Sequence, residues 1–309
     1  MSAQNVINEP SGVLIVHKHA GVTSHDIVGK IRRLYGTRRV GHTGTLDPMA
    51  TGVLVVLIGR AAKASEYLVS DSKRYRAGLR LGITTDTEDT SGTVLTSYAG
   101  ALPSFAELQA VLPAFRGKIN QVPPMYSALK VGGKKLVDLA RQGVTIERQA
   151  REIEIFSLEA DKTDADADFA LDVRCSGGTY IRTLCADIGA KLGCGGAMFS
   201  LERVEACGFS LDEAHTIAEL EEMTKEEKEA LLIPIEALFA SLPSVQLVPF
   251  YEKLCRSGCE IYQKKIGASF PVGTRMRICD ATGEFFALGE VRDYENGTAV
   301  KAIKTFSLD

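Results

Sequence analysis

Strand-like and helix-like segments follow one another irregularly along this chain. Gly12 to Val16 is a continuous apolar run typical of a buried strand, and an amphipathic helix capped by Thr23 or Ser24 follows it. Later segments alternate apolar and polar residues as half-buried strands do; they are Arg74 to Leu81, Arg151 to Leu158 and Ala167 to Cys175. A parallel doubly wound sheet requires regular alternation of strands and helices, so this order favours an α+β fold.

Local patterns also predict a loop and a late helix. Val40 to Gly52 is rich in Gly and Thr and is predicted to be an ordered loop. Thr216 and Glu219 form the pattern of a capping box, which is predicted to open one charged helix that includes Glu226 to Lys228.

The 309 residues are enough for one large domain or two. Leu242 to Ser244 resembles a linker, and the short β-like runs after it predict a small β-rich module. The longest apolar runs, such as Val53 to Ile58, are far shorter than the roughly 18 residues of a membrane span. Met1 to Pro10 lacks the apolar core of a secretory signal, so we expect a cytoplasmic protein that does not enter a membrane.

Seven cysteines are present, and none forms a Cys-x-x-Cys pair. An odd number without metal-binding spacing argues against a zinc ribbon and against a disulfide framework. The chain also lacks a glycine-rich fingerprint for nucleotide phosphates. We therefore expect no metal and no cofactor.

Charge is distributed unevenly along the chain. The net charge is -3, but residues 1–158 contain 20 Lys and Arg against 13 Asp and Glu, whereas residues 159–309 contain 16 against 26. An electropositive N-terminal part fits a polyanionic partner. The alternative is a chance fluctuation on a solvated surface, and charge alone does not separate the two.

The segment from Gly41 to Gly52 is the most informative for chemistry. Three glycines allow the backbone to bend and to approach a ligand closely. Asp47 is the only carboxylate in this segment, and the rigid Pro48 follows it. Asp followed by Pro is also an ordinary helix start, so the spacing alone leaves a structural role open.

These residues resemble the signature of the TruB family of tRNA pseudouridine synthases, and the match continues through Leu54. Other segments resemble further motifs of the family in the same order; they are Lys18 with Gly21 to Asp26, Lys73 to Tyr75, Gly82 to Asp89, Gln121 to Lys130, Gly133 to Leu136, and Gly178 to Leu184. The resemblance extends over roughly residues 12–240. The tail is similar, more weakly, to the PUA-type RNA-binding module that ends these enzymes.

The resemblance implies a catalytic domain with a mixed, largely antiparallel sheet flanked by helices over residues 1–241. An RNA-gripping insertion is expected at about 121–150, and a small β-rich PUA-like module at 242–309. The family reaction isomerises uridine to pseudouridine at position 55, in the TΨC arm of tRNA, with flipping of the target base and without metal or cofactor. No protein partner is implied.

The resemblance also assigns roles to particular residues. It implies that Asp47 is the nucleophile and that Arg182 pairs with it, whereas an arginine taken alone fits an ordinary structural ion pair equally well. Tyr75 and Tyr180 are expected to offer flat faces to the extruded base, although a single tyrosine is more often a core residue. His42 is expected to fill the gap left by the base. Leu201 is expected to line the uracil pocket.

Several lysines are expected to meet RNA phosphates, although each alone fits a solvated side chain; they are Lys18, Lys63, Lys130, Lys134 and Lys135. Two positions depart from the family pattern. His19 stands where proline is common, and Glu202 stands where a second arginine is usual before Arg203. Glu202 replaces a cation with an anion, which puts a phosphate contact or an ion pair there in doubt.

Two other classes of protein compete with this interpretation. A tRNA-binding or folding chaperone would act without catalysis, but binding alone does not need the combination of Asp47, Arg182 and Tyr75. A carbohydrate-active hydrolase would need a second carboxylate within about 10 Å. No such partner is evident in the sequence.

Overall fold

The computed structural model describes residues 9–68 and 72–306, without the side chain of Lys135. The strands are β1 (Gly12–Lys18), β2 (Val40–His42), β3 (Thr51–Ile58), β4 (Lys73–Leu81), β5 (Ile83–Thr85), β6 (Val94–Ser97), β7 (Gly117–Gln121), β8 (Lys130–Val131), β9 (Lys134–Lys135), β10 (Arg151–Lys162), β11 (Asp168–Cys175), β12 (Gly196–Ala206), β13 (Phe209–Ser210), β14 (Ser244–Gln246), β15 (Ile261–Tyr262), β16 (Arg275–Cys279), β17 (Phe285–Tyr294) and β18 (Gly297–Thr305). The α-helices are α1 (Ser24–Tyr35), α2 (Phe105–Val111), α3 (Leu136–Ala140), α4 (Ile181–Lys191), α5 (Ile217–Glu222), α6 (Lys225–Ala230) and α7 (Pro249–Arg256), and short 3₁₀ helices include Gly59–Tyr67 and Ile235–Phe239.

A nine-stranded mixed sheet forms the main body, in the order β1-β3-β12-β4-β11-β10-β7, with β2 paired to β3 and β13 to β12. Every pairing in this sheet is antiparallel except that of β12 with β3. This architecture confirms the predicted α+β fold with a largely antiparallel sheet. The order brings the start of β3, the middle of β4 and the middle of β12 together.

Strand β1 explains why the N-terminal run is apolar throughout. Val13 and Ile15 lie in one hydrophobic cluster, and Leu14 and Val16 lie in another on the opposite face of the sheet. Both faces of this part of the sheet are therefore covered, so alternation with polar residues is lost. Helix α1 covers the second cluster with residues that include Ile27.

Helix α1 begins at the capping signal seen in the sequence. Thr23 accepts a hydrogen bond from the Asp26 backbone, and the Asp26 side chain accepts one from the Thr23 backbone. The helix ends at Gly36 in the left-handed region, with φ of 64°, where glycine has no Cβ to clash. This helix fixes the chain that leads into the Gly41 to Gly52 segment.

Two local predictions were wrong. Val40 to Gly52 is not wholly a loop, because Val40–His42 pairs with β3 and Thr51 already belongs to β3. The late charged segment forms two helices instead of one. The first helix ends before Met223, and Thr224 then forms a capping box of its own with Glu227. A cap inside the charged run competes with continuation of the helix.

An insertion was predicted at about 121–150, and its RNA-gripping role stays a prediction. A two-stranded ribbon, β8 with β9, turns through two glycines with positive φ. Helix α3 follows directly. Backbone hydrogen bonds from Leu136 to Leu129 and from Val137 to Ser127 close this segment on itself.

A second sheet of five strands, in the order β14-β16-β17-β18-β15, confirms the β-rich C-terminal module. Its Phe285 and Phe306 pack against Phe239, with ring centroids 5.9 and 5.8 Å from that ring. The module therefore shares a hydrophobic cluster with the main sheet. A domain boundary between residues 241 and 242 stays a prediction. Over the described ranges 9–68 and 72–306, no helix is long and apolar enough to span a membrane.

Candidate active site

The carboxylate of Asp47 stands on a turn just before β3. Pro48 and Met49 form this turn, and the Ala50 amide donates to the Asp47 carbonyl over 3.0 Å. No helix follows Pro48, so Asp47 is not a helix cap. The preceding residue, Leu46, is held by Ser24, whose hydroxyl accepts from its amide at 2.8 Å and donates to its carbonyl at 3.2 Å.

Lys18 lies beneath this turn and is fully buried. Its ammonium donates to the carbonyls of His19, Val22 and Pro48 at 3.0, 2.9 and 3.2 Å. Burial lowers the pKa of Lys18 to about 8, and the nearby Asp47 partly offsets this effect. The phosphate contact predicted for Lys18 does not fit this placement, because backbone carbonyls occupy the ammonium. Lys18 instead fixes the backbone of the Asp47 turn.

Arg182, in the first turn of α4, binds Asp47 through two hydrogen bonds. Its Nε donates to Oδ2 at 2.8 Å and its Nη2 donates to Oδ1 at 3.2 Å. The Arg182 side chain is 5% exposed, whereas that of Asp47 is 34% exposed. A bidentate pair of this kind fixes the direction of the carboxylate. The structure thus brings together the two residues that the sequence proposed as a pair.

Three further acceptors surround the Arg182 guanidinium, and the sequence did not identify them. The carbonyl of Thr87 accepts from Nη1 at 2.9 Å, and that of Tyr126 accepts from Nη2 at 2.8 Å. A carboxylate oxygen of Asp89 lies 3.8 Å from Nε. Asp89 ends the segment Gly82 to Asp89, whose resemblance to a family motif was the signal in the sequence for it.

Asp89 is a second carboxylate near Asp47, which corrects the expectation that none exists. It is buried, and its Oδ1 accepts hydrogen bonds from the Thr87 hydroxyl and from the amide and hydroxyl of Ser91. Asp89 is absent from the walls of the cleft that Asp47 faces. These bonds hold Asp89 behind Arg182, where it does not face a substrate as the acid of a hydrolase must.

The cleft in front of Asp47 has a volume of about 490 Å³. Four other predicted site residues line it: Tyr75, Tyr180, Arg182 and Leu201. The sheet accounts for part of this convergence, because β12 pairs with both β4 and β3. Burial raises the pKa of Tyr75, and the neighbouring Arg203 works in the opposite direction.

Arg203 is a buried cation in the wall of the cleft. The sequence analysis predicted no contacts for it. Its Nε donates to the Val53 carbonyl at 2.7 Å and its Nη2 to the Gly44 carbonyl at 3.1 Å. It is opposite Tyr75 in the β12–β4 register and opposite Gly52 in the β12–β3 register. A Cβ on Gly52 would lie 2.2 Å from the Arg203 carbonyl oxygen, so only glycine fits there.

The remaining predicted residues lie outside the cleft walls. His42 is half-buried, burial lowers its pKa, and its Nδ1 has no hydrogen-bond partner among the described residues. Lys63 lies at the C-terminal module, with its ammonium 3.5 Å from the Thr305 carbonyl. Lys130 and Lys134 are exposed on the insertion. The side chain of Lys135 lies outside the described part of the chain.

Glu202, the departure from the family pattern, makes an ion pair on the surface of the sheet. Its carboxylate lies 3.7 Å from Nη1 of Arg76, which stands opposite it in the β12–β4 register. An ion pair therefore forms at this position, with the anion contributed by β12.

The cleft contains the oriented carboxylate of Asp47. The rings of Tyr75 and Tyr180 and the apolar side chain of Leu201 also line it. A carboxylate in this setting can attack an electrophilic carbon or stabilise positive charge on a sugar. Among the residues that the structure describes, no three His, Cys, Asp or Glu side chains cluster as metal ligands would.

Comparison with known proteins decides the family. The model of the TruB family pseudouridylate synthase N-terminal domain matches residues 32–181, and that of the tRNA pseudouridylate synthase B C-terminal domain matches residues 182–240. The chain belongs to the TruB family. It is therefore a pseudouridine synthase, an isomerase that forms pseudouridine from uridine.

Curated relatives in the TruB family cover most of this chain. A tRNA pseudouridine synthase B from Clostridium perfringens (strain 13 / Type A) is 40% identical over 281 residues, which are 91% of this chain and 95% of the relative. One from Syntrophotalea carbinolica (strain DSM 2380 / NBRC 103641 / GraBd1) is 45% identical over 242 residues, which are 77% of this chain and 78% of the relative.

Solved structures share the TruB family fold over nearly the whole chain. The crystal structure of a Cbf5-Nop10-Gar1 complex contains a chain with a TM-score of 0.74 and 25% identity, and the match covers 97% of this chain and 86% of that one. In the archaeal box H/ACA sRNP Nop10-Cbf5 complex, the corresponding TM-score is 0.72 at 24% identity, with coverage of 97% and 88%.

Proposed function

We propose that this chain converts uridine to pseudouridine at position 55, in the TΨC arm of tRNA, with Asp47 as the nucleophile. The observation that carries this proposal is the Asp47–Arg182 pair at the wall of an open cleft, with the carboxylate partly exposed and the guanidinium buried. The relatives named tRNA pseudouridine synthase B support tRNA as the substrate.

The reaction breaks the bond between C1′ and N1 of the uridine and forms a bond between C1′ and C5. The proton on C5 is lost and N1 gains one, so no atom or electron is exchanged overall. The Asp47 carboxylate attacks either C1′ or C6 of the nucleotide and leaves again when the new bond forms. Arg182 keeps the carboxylate in one orientation throughout through its two hydrogen bonds.

The target base must leave its stack before Asp47 can reach it. We propose that Tyr75 and Tyr180 receive the faces of the flipped uracil and that Leu201 packs on its apolar side, because all three line the cleft with Asp47. His42 would fill the gap left in the RNA. Its half-buried position at the end of β2, directly before the cleft residue Thr43, fits that role.

Phosphate contacts would come from cations outside the cleft. Lys130 and Lys134 are exposed on the insertion and are free to follow an RNA backbone. Lys63 lies between the main sheet and the C-terminal module, where an RNA that touches both would pass. We propose that the module, residues 242–309, is an RNA-binding domain and that residues 1–241 form the catalytic domain. A tRNA substrate also fits the cytoplasmic location predicted from the sequence.

Replacing Asp47 tests the proposal. Asp47→Ala and Asp47→Asn should abolish pseudouridine formation and leave tRNA affinity largely unchanged, because the carboxylate acts only in the chemical step. Pseudouridine is mapped by carbodiimide adducts on tRNA incubated with each protein in the presence of a chelator, and binding is measured separately. Asp212→Asn, at an exposed carboxylate, is the matched control and should retain full activity. Substantial turnover by Asp47→Ala would overturn the assignment.

The same assay separates the competing functions. A hydrolase would release free uracil, whereas an isomerase releases none. A folding chaperone would leave the tRNA chemically unchanged. A tRNA with cytidine in place of uridine at position 55 should bind and acquire no pseudouridine at that position, and modification elsewhere would contradict the proposed target.

A further inference from the structure

The backbone of Glu88 adopts a conformation that side chains rarely take. Its φ is 63°, and among the described non-glycine residues only Cys207 shares a positive φ. This left-handed region is unfavourable for residues with a Cβ and persists only where the surroundings enforce it. Such residues cluster at functional sites.

Both neighbours of Glu88 contact Arg182. The Thr87 carbonyl accepts a hydrogen bond from Nη1 at 2.9 Å, and an Asp89 carboxylate oxygen lies 3.8 Å from Nε. Because these two groups flank Glu88, its φ and ψ set their directions relative to each other. The unusual conformation of one residue thus lets a short turn meet the guanidinium with two acceptors.

The Glu88 side chain is tied to the helix that carries Arg182. The hydroxyl of Thr183, the residue after Arg182, donates to Glu88 Oε2 at 2.5 Å. The Glu88 carbonyl accepts from the Met198 amide at 3.1 Å. Burial raises the pKa of the Glu88 carboxyl, and the bond from Thr183 counteracts this rise. The turn is therefore anchored to both α4 and β12.

We propose that Glu88 is a positioning residue for the isomerisation. Its hydrogen bond with Thr183 holds the left-handed conformation of Glu88. Thr87 and Asp89, on either side of it, then fix Arg182 behind Asp47. This inference rests on the proposed roles of Asp47 and Arg182 and extends them to a residue that does not line the cleft.

Five variants separate the hydrogen bond from the backbone conformation. Glu88→Ala and Thr183→Val each remove one partner of the bond, and the double variant removes both. Glu88→Gln keeps an acceptor for the Thr183 hydroxyl. Glu88→Gly loses the side chain but adopts the left-handed region at no steric cost. Glu107→Ala is the matched control, because it breaks a bond from a serine hydroxyl to a glutamate at the cap of α2, outside the cleft.

The single-turnover rate of pseudouridine formation and the tRNA dissociation constant are measured for each variant. Glu88→Ala and Thr183→Val should each lower the rate roughly 10- to 100-fold, the range expected when a catalytic group is slightly misplaced. The double variant should be no slower than either single variant, because both act through one bond. Glu88→Gln should stay close to the parent, Glu88→Gly should be much faster than Glu88→Ala, and Glu107→Ala should match the parent. Affinity for tRNA should remain unchanged in all of them.

A parental rate for Glu88→Ala would overturn the inference. So would a Glu88→Gly variant as slow as Glu88→Ala, or additive effects in the double variant. Asp47→Ala, assayed in parallel, separates the two proposals. If Asp47→Ala is active, the proposed function fails. If Asp47→Ala is inactive while the Glu88 and Thr183 variants keep the parental single-turnover rate, only the role of Glu88 fails.

Discussion

At the scale of single residues, burial gives Lys18 an unusual acid–base environment. Its pKa falls from 10.5 in an exposed side chain to about 8. Between pH values of about 8 and 10.5, Lys18 is protonated in the unfolded chain and deprotonated in the folded chain. Lys18 therefore makes stability rise as pH increases from about 8 towards 10.5, and below about 8 its effect on stability is constant.

Replacing Lys18 should remove this dependence. We expect the free energy of unfolding of the parent to rise with pH relative to that of Lys18→Met, by up to about 1.4 kcal/mol per pH unit above about pH 8. Buried thiols such as Cys175, whose pKa burial raises, push the slope the other way in both proteins, so only the difference is informative. Urea unfolding at several pH values measures it. Parallel curves for parent and variant would contradict the depressed pKa.

At the scale of elements, the segment between Gln121 and Arg151 contacts Arg182 at its base and is exposed at its tip. The Tyr126 carbonyl accepts from Arg182, and the Ser127 carbonyl accepts from the Val137 amide. Lys130 and Lys134 lie on the exposed ribbon beyond this base. The segment therefore joins an exposed, lysine-bearing ribbon to the Asp47–Arg182 pair.

Removing the lysines of the ribbon should weaken tRNA binding and flatten its salt dependence. Replacing Lys130, Lys134 and Lys135 with Ala should reduce the log–log slope by roughly 0.7 to 0.9 for each phosphate that no longer meets a lysine. Preference for the TΨC arm should persist, because phosphate contacts do not read bases. Binding titrations across a salt series measure the slope. An alanine triple variant of the exposed Lys162, Lys191 and Lys225 is the matched control, and equal slopes in the two triple variants would remove the insertion as an RNA contact.

At the scale of the whole molecule, an aromatic cluster joins the C-terminal module to the main sheet. Phe306 lies 5.8 Å from Phe239 and 5.5 Å from Phe285, measured between ring centroids, and is buried. The carbonyl of Phe306 also accepts a hydrogen bond from Arg60. The module is therefore held on the main sheet through buried apolar surface as well as polar bonds.

Truncating this cluster should destabilise the protein. Phe306→Ala should lower the free energy of unfolding by about 3–5 kcal/mol, because it leaves a cavity in a buried cluster. Phe250→Ala is the control, since its side chain is largely exposed in the same module and should change stability little. Urea unfolding monitored by circular dichroism measures both variants. Similar destabilisation of the two variants would show that the cluster does not contribute this stability.

Features that depend on near neighbours in the chain could be predicted from the sequence alone. The cap at Thr23 and the alternating strands β4, β10 and β11 follow from hydrogen bonds and side-chain periodicity within a few residues. The resemblance of the Gly41 to Gly52 segment identified the family. That segment selected Asp47, and the resemblance of Gly178 to Leu184 selected Arg182, which the structure brings into contact with Asp47.

The surroundings of those two residues depend on contacts that arise only when the chain folds. Val40–His42 is a strand because β3 lies beside it, and Lys18 is buried because the Pro48 turn folds over it. Asp89 reaches Arg182 across 93 positions of sequence. Burial and hydrogen-bond partners of this kind arise from contacts between segments that are distant in the sequence. Local periodicity carries no information about which distant segments will be in contact.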